Sequence, residues 1–116
     1  MMSSEKMLQL VQGQLEAYNN RDIQKFCTYF SSDIRIYRFP SNELIMEGAE
    51  AFEKAYEKRF SSNPQLHCEI KNRIIMKDIV LDEEWVTGVT DTPEGSRVMA
   101  LYAFNKEKIN QVWFAK

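Results

Sequence analysis

The sequence predicts an α+β fold: a curved antiparallel (mixed) sheet wrapped as a cone-shaped barrel over three helices from the N-terminal half. Three observations predict it. Apolar residues recur at helical spacing between residues 7 and 30 and again between 52 and 60, β-rich runs fill the chain beyond Pro64, and turn signals separate those runs. Helices grouped ahead of hairpin-linked strands argue for a sheet covered on one face, not for alternating βαβ units. The open end of such a cone is a natural pocket.

Ser3 or Ser4 caps the first helix, with Glu5 in its positive first turn. Met7, Leu8, Val11, Leu15 and Tyr18 then form one apolar face. Asn19-Asn20-Arg21-Asp22 interrupts it, because Asn and Asp favour turns and caps. Asp22 caps a short second helix in which Ile23, Phe26 and Phe30 share a face, and Ser31-Ser32-Asp33 ends it. Ile34–Phe39 reads as a strand stopped by Pro40, with Leu44-Ile45-Met46 as a short hairpin arm. Glu47-Gly48 leads into the third helix, where Phe52, Ala55, Tyr56 and Phe60 fall at spacings of three and four. Glu50 and Lys54, four apart in the favourable order, mark its solvated side.

Ser61-Ser62-Asn63-Pro64 is a loop. Residues 66–76 and 79–90 are two long strands broken at Lys77-Asp78, and Asp91–Gly95 is a turn. Ser96–Phe104 and Ile109–Ala115 are the last two strands, joined by the turn Asn105–Lys108.

At 116 residues the chain is sized for a single domain, 1–116. Fifteen basic against seventeen acidic residues leave a net charge of −2, which argues against a nucleic-acid partner. No apolar run approaches the roughly 20 residues needed to span a membrane. The start, MMSSEKMLQL, lacks the regions of a signal peptide, so the expected location is cytoplasmic. Cys27 and Cys68 fit that compartment as reduced, packed thiols.

Four glycines sit singly, so there is no phosphate-binding loop, and one His without any C-x-x-C gives no metal-ligand spacing. No metal and no organic cofactor is expected. His67 and Cys68, adjacent in a strand, point to opposite faces and cannot act together.

The segment YNNRDIQKFCTYFSSDI (18–34) resembles the opening of the nuclear-transport-factor-two-like superfamily. There a helix, a break before Asp, a short aromatic helix and a second Asp lead into the first strand. MEGAEAF (46–52) is similar to the entry of that superfamily's third helix, and Tyr102-Ala103-Phe104 with Ile109–Trp113 resembles its ending. His67-x-Glu69, Asn72-Arg73-Ile74, Val86-Thr87-Gly88 and Val112-Trp113-Phe114 look most like the SnoaL-like, steroid-isomerase-like branch. The resemblance implies a cone-shaped barrel, homodimeric through the outer face of its sheet. Ketosteroid isomerases of that branch use a first-helix Tyr, an Asp base on the first strand and a protonated Asp on a late strand. Those positions fall on Gln14, Arg38 and Ala100 here, so steroid isomerase activity is not carried over.

The same register points Ile34, Ile36, Val98, Tyr102, Val112 and Phe114 into the cone and Trp113 outward. The expected ligand wall comprises Gln14, Tyr18, Phe30, Arg38, Ala100, Tyr102 and Phe114, suited to a small, mostly apolar organic ligand. Arg38 reads either as an anion handle or as an edge-strand Arg reaching solvent, and Tyr18 and Tyr102 either as core aromatics or as acids. Proton transfer is assigned to His67 with Glu69 or Glu83, Glu83 being placed inward by parity within Asp82-Glu83-Glu84. The expected function is small-molecule binding with isomerase, cyclase or hydrolase chemistry by acid–base catalysis. The alternative is a non-catalytic ligand-binding or protein-interaction dimer.

Overall fold

The computed structural model of the chain describes residues 2–116. Its elements run α1 (Ser4–Asn19), α2 (Ile23–Cys27), β1 (Phe30–Arg38), β2 (Leu44–Glu47), α3 (Ala49–Ser62), β3 (His67–Met76), β4 (Ile79–Thr87), β5 (Ser96–Asn105) and β6 (Lys108–Ala115). The strands form one sheet in the order β2-β1-β6-β5-β4-β3. The β1–β6 pair is parallel and the other four are antiparallel. This is the expected α+β cone, with one refinement. The sheet curves but does not close, and β2 and β3 remain its edges.

Ser3 caps α1 by accepting from the Lys6 amide at 3.1 Å, and Asp22 caps α2 through the Lys25 amide at 3.1 Å. The second helix is shorter than its periodicity suggests. It stops at Cys27, and Phe30 and Ser31-Ser32-Asp33 belong to β1. The Ile109 amide donates to the Tyr29 carbonyl at 3.0 Å, and Phe30 pairs with Ile109. Pairing with a strand eighty residues away thus overrides the local helical pattern. The Glu50–Lys54 pair forms on the exposed side of α3 at 3.6 Å.

The helices fill the concave side of the sheet. Phe26 stacks on Phe52 with centroids 5.6 Å apart, and Tyr18 meets Phe60 edge-on at 5.4 Å. Met7, Val11, Ile34, Val80, Ala100, Ile109 and Val112 complete a closely buried core. Among the described residues no helix is long and apolar enough to cross a membrane. Gly88 is required where β4 ends: its φ is +78°, and a Cβ there would lie 1.9 Å from the Gln65 carbonyl oxygen.

The core also holds an ion pair. Asp82 is fully buried and receives two hydrogen bonds from Arg73, Nε to Oδ1 at 2.7 Å and Nη2 to Oδ2 at 3.0 Å. The remaining fork donates to Gln12 Oε1 at 3.0 Å, tying α1 to β3. Removing one partner of a buried pair leaves an uncompensated charge. Arg73→Met is therefore expected to cost about 3–5 kcal/mol in urea unfolding, and adding Asp82→Asn to that variant should recover part of the loss.

Candidate functional site

The inward-facing rows of β1 and β6 lose their burial toward their C-terminal ends, while that of β4 stays buried from Val80 to Val86. Along β1, Ile34 and Ile36 are buried while the Arg38 side chain is 63% exposed. Along β6, Ile109 and Val112 are buried, Phe114 is half-buried and Lys116 is exposed. The cone therefore opens at the C-terminal ends of these parallel strands. The ends of α1 and α3 meet there, where Arg59 Nε donates to the Tyr18 hydroxyl at 2.9 Å.

β4 runs in the same direction as β6 and turns Val80, Asp82, Glu84 and Val86 inward. Glu84 lies toward the open end and is the acid of this site. The Tyr102 hydroxyl donates to Glu84 Oε2 at 3.4 Å, and Gln14 Nε2 donates to the Tyr102 oxygen at 3.1 Å and to the Val11 carbonyl at 3.0 Å. The Cys68 thiol also hydrogen-bonds to the Glu84 carboxyl. Burial raises the Glu84 pKa from the usual 4.5 to about 7, and the charge of Asp82 adds to the shift. Hydrogen bonds from Tyr102 and Cys68 and the more distant Arg73 oppose it. Burial likewise pushes Tyr18, Tyr56, Tyr102 and Cys68 up, so these groups stay protonated at neutral pH. A carboxyl half-ionised near neutrality, surrounded by protonated hydroxyls, can accept a proton and return it.

Asn19 fixes this end of the sheet. Its amide donates to the Cys68 carbonyl at 3.0 Å and accepts from the Cys68 amide at 2.8 Å, occupying both backbone groups of an edge strand. Arg21 Nη1 donates to the Leu66 carbonyl at 2.7 Å.

The structure redistributes the residues expected at the site. Gln14, Tyr18 and Tyr102 face the interior with Glu84, and Ala100 is a fully buried part of the wall. Phe114 is half-buried near the mouth. Arg38 stands at the rim, 3.3 Å from Glu43. Phe30 lies at the opposite end, packed on Phe26 and Phe52, and does not reach Glu84. The inward placement of Glu83 is corrected: it faces the outer side, accepting from Asn72 at 3.0 Å and Arg97 at 2.8 Å, which hold its pKa low. His67 and Glu69 also lie on the exposed outer side, Glu69 3.2 Å from Lys71, while Cys68 between them points inward. The three expected proton-transfer residues are thus outside the cone. The inward carboxylates are the other two members of the same acidic run, Asp82 and Glu84, and of these Glu84 lies nearer the open end. A shallow outer groove of about 430 Å³ is lined by Ile74, Leu81, Glu83, Arg97 and Met99 among others. Among the described residues, no three His, Cys, Asp or Glu side chains gather as a metal-binding group.

The SnoaL-like domain family matches residues 11–112. No curated protein matches the chain by sequence. Among solved structures, an uncharacterised cystatin-fold protein from Novosphingobium aromaticivorans is 28% identical, with a TM-score of 0.84 over 94% of this chain and 97% of that one. A candidate ketosteroid isomerase from Kribbella flavida is 13% identical, with a TM-score of 0.80 over 96% and 77%. A candidate polyketide cyclase from Sinorhizobium meliloti is 12% identical, with a TM-score of 0.79 over 97% and 99%. These two share the fold with this chain.

The raised pKa of Glu84 has a consequence for stability. In the unfolded chain Glu84 ionises near 4.5, whereas in the folded protein it ionises near 7. Its contribution is complete below 4.5 and is lost as the pH climbs through 7. Relative to Glu84→Gln, the wild-type protein should lose about 3 kcal/mol between pH 4 and pH 8, as read by urea unfolding at each pH. A flat difference across that range would contradict the assignment.

Proposed function

The chain belongs to the SnoaL-like domain family, and from that premise we propose that it processes a small, mostly apolar organic molecule by acid–base chemistry at the open end of the cone. The observation that carries this reading is Glu84: a carboxyl inside an apolar wall, its pKa raised to about 7. Glu84 takes a proton from a carbon beside a carbonyl group and returns it to another position, the common step of isomerases and of cyclases that form carbon–carbon bonds. The Tyr18 oxygen accepts from Arg59, which leaves its own proton free for the carbonyl oxygen on which negative charge develops. Tyr102 and Gln14 orient Glu84 from below.

The non-catalytic reading retains one specific support. Among the described residues every buried side-chain nitrogen and oxygen already has a hydrogen-bond partner, as a purely structural core requires. Deuterium uptake from D2O by a panel of cyclic enones and β-keto esters separates the two. With wild-type protein, exchange should rise with pH around an apparent pKa of about 7. Glu84→Gln should lower it by roughly 10²–10⁴-fold while leaving the far-ultraviolet circular dichroism unchanged. Exchange that survives in Glu84→Gln would remove Glu84 from the chemistry.

The same reading takes the single domain as a homodimer through the outer sheet face. Leu81, Met99, Leu101 and Trp113 stand there half-buried, and Ile74 and Met76 are 52% and 60% exposed. Sedimentation equilibrium should give twice the 13.7 kDa chain mass, and Leu101→Glu should give the monomer. A wild-type monomer at high concentration would end this part of the proposal.

A further inference from the structure

Arg59 enters neither the sequence-level site nor any ion pair of the core. It lies in the last turn of α3, half-buried, with its Nε–H committed to Tyr18. No carboxylate forms a salt bridge with it among the described residues. The Tyr18 contact fixes the plane of the guanidinium and leaves its terminal nitrogens free, the arrangement that suits a carboxylate.

Two further cations belong to the same end of the cone. Arg38 continues the inward row of Ile34 and Ile36, and Lys116 follows directly on the end of β6, at the edge where the cone's mouth meets the outer groove that it also lines. Arg38 pairs with Phe114 in the sheet, two residues before Lys116. The three charges feel one another: partial burial, then Arg59, then Arg38, push the Lys116 ammonium below its ordinary pKa. Glu43 offsets Arg38 at 3.3 Å. The acid facing this end from within is Glu84, which is half-protonated near neutrality. The rim is thus net positive although the whole chain carries −2. Tyr18, Tyr56 and Phe114 provide aromatic surface beside it.

Resting on the proton-transfer reading above, we propose that the ligand is a small aromatic or cyclic carboxylic acid, its carboxylate held by Arg59 at the mouth of the cone with Arg38 and Lys116 supplying the surrounding positive field. Arg59 is then the residue that selects for charge, while the apolar wall selects for the ring.

The test is titration of the full-length protein with benzoate, and separately with the uncharged isostere benzamide, followed by ¹H–¹⁵N NMR including the arginine Nε–H signals. Benzoate should bind at least ten times more tightly than benzamide, shift the Arg59 Nε–H signal and weaken as salt is raised. Arg59→Gln should cut benzoate affinity at least tenfold. Arg38→Gln and Lys116→Gln, both at exposed positions, should each reduce it two- to threefold, and Arg35→Gln, paired with Glu47 on the outer side, should not change it. Equal binding of benzamide and benzoate, no benzoate binding to wild-type protein, or undiminished binding in a folded Arg59→Gln variant would each overturn the proposal. If Arg59→Gln fails to fold, the two exposed variants and the benzamide comparison decide alone. Deuterium exchange on neutral enones is read independently, so failure here leaves the role of Glu84 standing and failure there leaves the carboxylate site standing.

Discussion

Strand β4 turns two carboxylates into the core, and one guanidinium is there to meet them. Burying a carboxylate costs several kcal/mol unless it is paired and fully hydrogen-bonded. Asp82 satisfies that condition through both of its oxygens on Arg73. Glu84, two residues further along the same face, has hydroxyl and thiol partners and the unhelpful charge of Asp82 nearby, so it retains its proton to about pH 7. A register shift in β3 makes this inequality possible. Cys68 and Ile70 point inward, and between Ile70 and Asn72 an extra residue enters the pairing. Without it Asn72 would face Asp82; with it Asn72 turns outward to Glu83 and Arg73 turns inward.

The direction of the strands decides where this uneven pair is accessible. β1, β4 and β6 all run toward the open end, because β1 and β6 are parallel and β4 is two antiparallel steps from β6. Asp82 lies one inward position deeper than Glu84 and is sealed. The deep end is closed by α1, through Met7 and the Gln12–Arg73 bond, and by the Phe26–Phe30–Phe52 aromatic group. What remains near the mouth is the Glu84 carboxyl, three tyrosines and the cationic rim.

The helices, the strand order in sequence and the cone were legible because each rests on local periodicity or on turn chemistry. Phe30 was misread because its place depends on Ile109, which no local pattern signals. The inward register of β1, β5 and β6 was also legible, since Ile34, Ile36, Val98, Tyr102 and Val112 are all buried. On β4 the parity failed for a physical reason. Its outward set, Ile79, Leu81 and Trp85, is as apolar as its inward set, Val80 and Val86, so alternation carries no label for inside and outside. The clue that the sequence did hold is size. Small Val residues face a core already filled by Phe and Tyr from the helices, and the larger Leu and Trp face outward. On β3 the bulge hides the parity in the same way, and Arg59 gave no signal because an Arg late in a helix is ordinarily a solvated one.

These features together set a gradient of charge along the axis of the cone. At depth, Asp82 and Arg73 cancel each other. In the middle, Glu84 is uncharged over the pH range below its raised pKa. At the rim, Arg38, Arg59 and Lys116 outnumber Glu43. On the proposed reading a neutral ligand would meet no net electrostatic force, whereas an anion would be drawn to a rim where Glu43 is outnumbered and would meet no further negative charge until Glu84 ionises. Ionisation of Glu84 would therefore act in two opposed ways in the proposed reaction: it would create the base that proton abstraction needs, and it would place a negative charge in front of an anionic ligand. The Arg59–Tyr18 contact lessens that opposition, because it holds a positive charge at the mouth beside the hydroxyl that a ligand oxygen would reach.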